Sequence, residues 1–228
     1  MLNKALSKKE FSTILRLLNT EDRVWENRDA DFRKERFANL FYGRRSVRNK
    51  QDWGWKEPNS HIFLESLCKH FSRLRYIHVI RHGLDMAFSE NQQQLHNWGK
   101  THFDIPTPGN RDLLPQTSLE YWIRANQRAI DVGRQHLGER FFLLNFDDLC
   151  SDPATVIRAL LKFINRDTSL CEKMINAVTV PPSIGRYKKR DLSVFTERQF
   201  RQVEELGFKI DRQKEPMAIE EDERCLVC

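Results

Sequence analysis

Apolar positions along this chain gather into two short dense runs and several longer periodic ones. Tyr76-Ile-His-Val-Ile80 and Phe141-Phe-Leu-Leu-Asn-Phe146 are strand-length runs of aromatic, β-branched and aliphatic residues. The first closes on His82-Gly83 and the second on Asp147-Asp148, which predicts strands at 75–80 and 141–146. Helical spacing predicts helices over 2–19, 30–42, 60–71, 84–98, 117–137, 153–163, 169–178 and 195–206, with a short strand at 52–55. Thr117 or Ser118 is the expected cap of the long central helix, and Pro153 fits the first turn of the next one. Residues 99–116 carry Pro106, Pro108, Gly109 and Pro115 and read as a loop, either a substrate-facing lid or a plain surface excursion. Strand, helix, strand, helix predicts an α/β fold with a parallel sheet flanked by helices on both faces.

Three segments follow from this pattern: a helical N-terminal segment over 1–50, an α/β domain over 51–210, and an acidic tail over 211–228 expected to be disordered. The N-terminal stripe of Leu2, Leu6, Phe11, Ile14, Leu15 and Leu18 needs a partner surface, so a homo-oligomer through this helix is one expectation. With 228 residues and 39% hydrophobic content the chain can bury one sizeable core. The net charge of +6 is diffuse, and no nucleic-acid motif accompanies it, so nucleic acid is not the expected partner. No run approaches the ~20 apolar residues that span a bilayer. Five cysteines at 68, 150, 171, 225 and 228 lack framework spacing. Together these features predict a cytoplasmic protein with no membrane segment.

The most chemical stretch is Arg81-His-Gly83-Leu-Asp85-Met-Ala-Phe-Ser89. A strand that ends in arginine, turns at glycine and enters a helix sets a guanidinium beside free helix N-terminal amides, a setting that favours an anion. Ser89, about two helical turns further on, is expected to add a hydroxyl from the same side. The plain alternative is an ion pair between Arg81 and Asp85. A second basic, glycine-containing segment, Pro181-Pro-Ser183-Ile-Gly185-Arg186-Tyr-Lys-Lys-Arg190, reads as an exposed loop able to fold over an anion.

These residues resemble the sulfotransferase family, whose members carry a strand, an Arg, a Gly- or Pro-containing turn, an Asp, a small residue and a Ser in this order. The resemblance extends through Trp53-Gly-Trp-Lys56-Glu57-Pro58, through Phe141 to Pro153, and through Ser183-Ile-Gly185-Arg186-Tyr187, roughly residues 50–210. It implies a three-layer fold related to the P-loop kinases and a donor, 3′-phosphoadenosine-5′-phosphosulfate (PAPS), with transfer to a hydroxyl or amine on a small molecule or glycan. It further implies that Arg81, Ser89 and Arg186 bind the donor's 3′-phosphate, that Lys56 lies by the transferred group, and that no metal is required. Glu57 and His61, close to Lys56 in sequence, are the candidates for a general base.

One family element is absent. Residues 1–50 contain a single glycine, Gly43, and no basic-Ser-Gly-Thr-Thr or Gly-x-x-x-x-Gly-Lys-Ser/Thr loop for the 5′-phosphosulfate. The expectation is therefore a family fold incomplete at its N-terminus, with a truncated or degenerate non-catalytic member, binding an adenosine 3′-phosphate group or acting as an interaction module, as the alternative.

Overall fold

The computed structural model describes Gly54 and residues 56–212. The helices expected over 2–19 and 30–42, the strand at 52–55 apart from Gly54, and the tail beyond Arg212 lie outside the described residues. Gly54 itself is exposed and in no regular element.

After helix α1 (Leu64–His70), strand β1 (Tyr76–Ile80) pairs in parallel with strand β2 (Phe141–Asn145), in register from Tyr76 opposite Phe141 to Ile80 opposite Asn145. Period-two alternation sends His78 and Ile80 inward, while Ile77 and Val79 point to the other face. The inward face rests on the long helix α4 (Leu114–Leu137), which crosses both strands. The approach is close at Gly133, where an added Cβ would stand 2.2 Å from the Phe141 ring. Helix α6 (Pro153–Phe163) covers the opposite face at β2, where Phe142 and Phe163 have ring centroids 5.1 Å apart. Beside β1 that face is open, with Ile77 38% and Val79 53% exposed. The two-strand α/β arrangement with helices on both faces is thus present, although α6 covers only the β2 half of its side.

Between β1 and α4 the predicted single helix over 84–98 is divided. Helix α2 spans only Gly83–Ala87, and a second helical run contains a π-helical turn at Leu95–Gly99 followed by α3 (Lys100–Phe103). Gln92 causes the break. Its buried amide donates to the carbonyls of Met86, Ala87 and Ser89, and its oxygen accepts from Ser118 Oγ at 2.5 Å. Carbonyls at the end of α2 thereby find a side-chain donor in place of the next helical N–H. Ser89 lies outside any helix, not two turns into one.

Other boundaries move for equally local reasons. The expected 99–116 loop contracts, because 100–103 are helical and Pro115 sits in the first turn of α4, where its missing N–H costs nothing. Thr117 and Ser118 are consequently inside α4 and do not cap it: Thr117 donates to the Leu113 carbonyl and Ser118 to Gln92. Strand β2 stops at Asn145, whose side chain accepts from the N–H groups of Asp147 and Asp148 and so starts helix α5 (Phe146–Ser151). Asp152 caps α6, as a residue just before a first-turn proline should. Helices α7 (Cys171–Asn176) and α8 (Glu197–Glu205) follow, the latter opened by a capping box of Thr196 and Gln199.

The main core joins α4 to everything near the end of β1. Leu119, Trp122 and Ile123 pack with Ile80, Leu84, Ala87, Tyr187, Phe195, Phe200, Val203 and Phe208. A second cluster gathers Ile62, Leu95, Trp98, Ile105, Tyr121 and Ala125 on another side of the same helix. Leu119 has no exposed surface, so Leu119→Ala should lower stability by about 2–5 kcal/mol. A urea unfolding midpoint unchanged from wild type would contradict the placement of Leu119 at the centre of the core.

Candidate functional site

The parallel pair delivers Arg81 just past the C-terminal end of β1, in the half-buried space between β2's exit and the 181–190 segment. Its guanidinium lies over the Phe146 ring, 4.9 Å from the centroid, and its Nη2 donates to Ser183 Oγ at 2.7 Å. Its Nε is buried without a hydrogen-bond partner. Among the described residues Arg81 forms no ion pair, although two carboxylates lie close by in the fold.

Both carboxylates are occupied by backbone. Asp85, 3% exposed in α2, accepts from the Gly185 N–H at 2.7 Å and the Tyr187 N–H at 3.0 Å. Asp147 accepts from the His82 N–H at 3.1 Å and so ties the start of α5 to the end of β1. Burial pushes the Asp147 carboxyl above the usual carboxylate range, with the His82 N–H and the nearby charges of His82 and Arg81 working in the opposite direction. The sequence alternative of an Arg81–Asp85 ion pair is therefore not what forms.

Turn 183–187 is packed, not free. Gly185 adopts φ +75, a left-handed conformation suited to glycine, and opens a 3-10 turn over Arg186–Lys189. Tyr187 is 2% exposed and stacks on His82 with ring centroids 4.5 Å apart. Arg186 Nε donates to the Ser183 carbonyl at 3.3 Å. Ser183 thus accepts from both arginines, one through its hydroxyl and one through its carbonyl, and brings Arg81 and Arg186 into one neighbourhood.

His82 locks the same region from behind. Its Nδ1 accepts from the Leu84 N–H and its Nε2 faces the Lys209 carbonyl at 3.1 Å, which assigns the proton to Nε2. Burial lowers its pKa from the ordinary imidazole value, with the Lys209 contact opposing. Tyr187 Oη in turn accepts from the Asp211 N–H at 3.0 Å.

The remaining predicted residues stand apart from this centre. Ser89 Oγ accepts from the Asn91 N–H at 3.3 Å, and no hydrogen bond joins it to Arg81 or Ser183. Lys56 is exposed and makes no hydrogen bond or ion pair among the described residues. Glu57 Oε1 accepts from Asn59 Nδ2 at 2.8 Å and from the Asn59 N–H at 3.3 Å. His61 donates from Nδ1 to the Pro58 carbonyl at 2.8 Å and lies 6.4 Å, ring to ring, from His78. His78 is three residues before Arg81, roughly 10 Å of extended strand. His78 is the satisfied core histidine its mid-strand place suggests, with Nε2 2.9 Å from Asn126 Oδ1. Ser183, Asp85 and Asp147 were not read from the sequence as parts of the site. The first lay in plain view in the Ser183–Tyr187 segment, but the turn amides that engage Asp85 leave no sequence trace.

A family model described as "Sulfotransferase family" matches residues 3–169. The chain belongs to the sulfotransferase family. The match takes in residues 3–50, which the motif resemblance left aside, and it ends before the Ser183–Tyr187 turn. No curated protein and no solved structure matches the chain significantly. In this sulfotransferase Arg81 stands just past the C-terminal end of a parallel strand, the end at which open α/β folds bind ligands. Among the described residues no group of three or more His, Cys, Asp and Glu side chains is arranged to hold a metal ion.

The half-buried imidazole of His61 gives the sulfotransferase a testable pH response. Desolvation first, and then the charge on His78, lower its pKa from 6.5 to about 4. Between those values the unfolded chain binds a proton that the folded chain does not, so stability falls as pH drops through this window. His78 and His82 act in the same direction. Urea unfolding at pH 7.0 and 4.5 should show a smaller acid loss in His61→Gln than in wild type; equal losses would remove His61 as a contributor.

Proposed function

We propose that this chain is a PAPS-dependent sulfotransferase whose donor site is centred on Arg81. The observation that carries this reading is a guanidinium held by a strand end, a ring and a serine, with Nε buried and unpartnered and no counter-ion among the described residues. A buried donor left without an acceptor costs about 1–3 kcal/mol, which a phosphate oxygen would recover. The Arg81 neighbourhood therefore suits a 3′-phosphate, with Arg81 as the principal donor and Arg186 across Ser183 as the second cation; Ser89, which stands apart from them, is the further hydroxyl that the family resemblance adds.

PAPS supplies an activated sulfuryl group, and the protein's task is to hold and neutralise charge, as in phosphoryl transfer. Lys56, exposed and without an ion pair among the described residues, would stabilise charge as the bond to the leaving phosphate breaks. Glu57 and His61 are the neighbouring groups able to take the acceptor's proton. His61 is a neutral imidazole at pH 7, and Glu57 already accepts from Asn59, so the two differ in readiness. The acceptor is a hydroxyl or amine on a small molecule or glycan.

No helix among the described residues is long and apolar enough to cross a membrane, and Cys68, Cys150 and Cys171 are unpaired thiols, which supports a reducing, cytoplasmic setting. The missing glycine-rich loop favours one alternative, a family member that keeps the 3′-phosphate half-site without transfer. A sulfuryl-transfer assay with PAPS separates the two.

Calorimetric titration with adenosine 3′,5′-bisphosphate tests the site itself. Arg81→Ala should weaken binding by about 10–100-fold, and Ser89→Ala by about 2–10-fold. Absence of binding by the folded wild-type chain overturns the donor-site reading.

A further inference from the structure

We infer that Asp85 is a positioning residue that pre-assembles the second half of the anion site by holding the Ser183–Tyr187 turn against α2. This inference rests on the reading of Arg81 and Arg186 as anion ligands.

The geometry is specific. Asp85 and the turn are 100 residues apart in sequence, and two N–H groups, those of Gly185 and Tyr187, converge on the two oxygens of one carboxylate. Arg186 lies between these two anchored residues, so fixing both amides fixes the origin of its side chain. The same turn sets Ser183 to receive Arg81 at its hydroxyl and Arg186 at its carbonyl. A carboxylate accepting two backbone N–H groups in a buried place is a strong and directional anchor. Engaging both Asp85 oxygens with turn amides also keeps them from pairing with Arg81, four positions earlier on the chain. One side chain thereby places the second arginine and leaves the first without a counter-ion.

The role predicts an effect on affinity that passes through Arg186. A turn held in place before ligand arrives removes ordering cost from binding. Releasing the turn restores that cost, but only while Arg186 is there to be ordered.

A double-mutant cycle, read by calorimetry with adenosine 3′,5′-bisphosphate, tests this. Asp85→Asn, which turns one acceptor oxygen into an N–H₂ donor facing an N–H, should weaken binding about tenfold or more in the wild-type background. In an Arg186→Ala background the same change should weaken it less than about threefold. Gly185→Ala is the companion variant, since an added Cβ meets only the Lys188 side chain at 3.7 Å but is disfavoured at φ +75. It perturbs the turn without touching Asp85, and should show the same dependence on Arg186 even where Asp85→Asn fails to fold. Amide exchange at Gly185 and Tyr187 should accelerate in both variants.

Equal losses with and without Arg186, or no loss at all, would overturn the positioning role while leaving the Arg81 site intact. Failure of the folded wild-type chain to bind would remove the anion-site reading and this role together.

Discussion

Two acids, the buried Asp85 and the half-buried Asp147, both direct their carboxylates at backbone N–H groups, and Arg81 beside them forms no ion pair among the described residues. In the common case a guanidinium at a strand end would pair with the nearest carboxylate and become part of the scaffold. Here the N–H groups of Gly185 and Tyr187 outcompete it for Asp85, and the N–H of His82 outcompetes it for Asp147. A charge-assisted bond to a buried amide satisfies acceptor and donor together, which a half-exposed ion pair does not. The rest of the site follows from that preference: Arg81 turns to the Phe146 ring and Ser183, and the Ser183–Tyr187 turn is pinned where Arg186 meets it.

A second constraint shapes the same region from the other side. Gln92 ends α2 after five residues by giving its amide hydrogens to three carbonyls, and Ser118 of α4 orients that amide. The short helix keeps Asp85 at the level of the turn and releases Ser89 into a conformation closed by Asn91. Packing of Trp122 against this segment is tight: a Cβ at Gly83 would stand 2.7 Å from the indole ring. Position, length and orientation of α2 are therefore set by α4, the helix that also carries the core.

The parallel pair, the long central helix, α6 with its proline start, and the helix that became α8 were legible in sequence, because each rests on periodicity or on a cap within a few residues. The resemblance carried by Arg81, Gly83, Asp85, Ala87 and Ser89 pointed to the sulfotransferase family, and the match over 3–169 agrees. What sequence reading missed was non-local. Gln92 looked like one polar residue in a continuous helix, since its partner Ser118 is 26 positions away. Asp85 looked like a partner for Arg81, since the amides that claim it belong to a turn 100 residues on. Pro115 looked like loop and proved to be a first-turn proline, a place where the same residue favours a helix. The 181–190 segment, expected as an exposed loop, keeps Pro182 and Lys188–Arg190 exposed but buries Tyr187 through contacts that only the fold supplies.

The described residues after α8, 206–212, form no helix or strand, yet His82 and Tyr187 both lean on them. Phe208 is 4% exposed and sits 5.2 Å from the His82 ring; the Lys209 carbonyl meets His82 Nε2, and the Asp211 N–H reaches Tyr187 Oη. A chain cut after Glu205 would keep every described helix and both described strands and still lose the clasp that closes the back of the arginine neighbourhood. The support of the arginine neighbourhood consequently runs past the last described helix, into an irregular strap of five residues, Gly207 to Asp211.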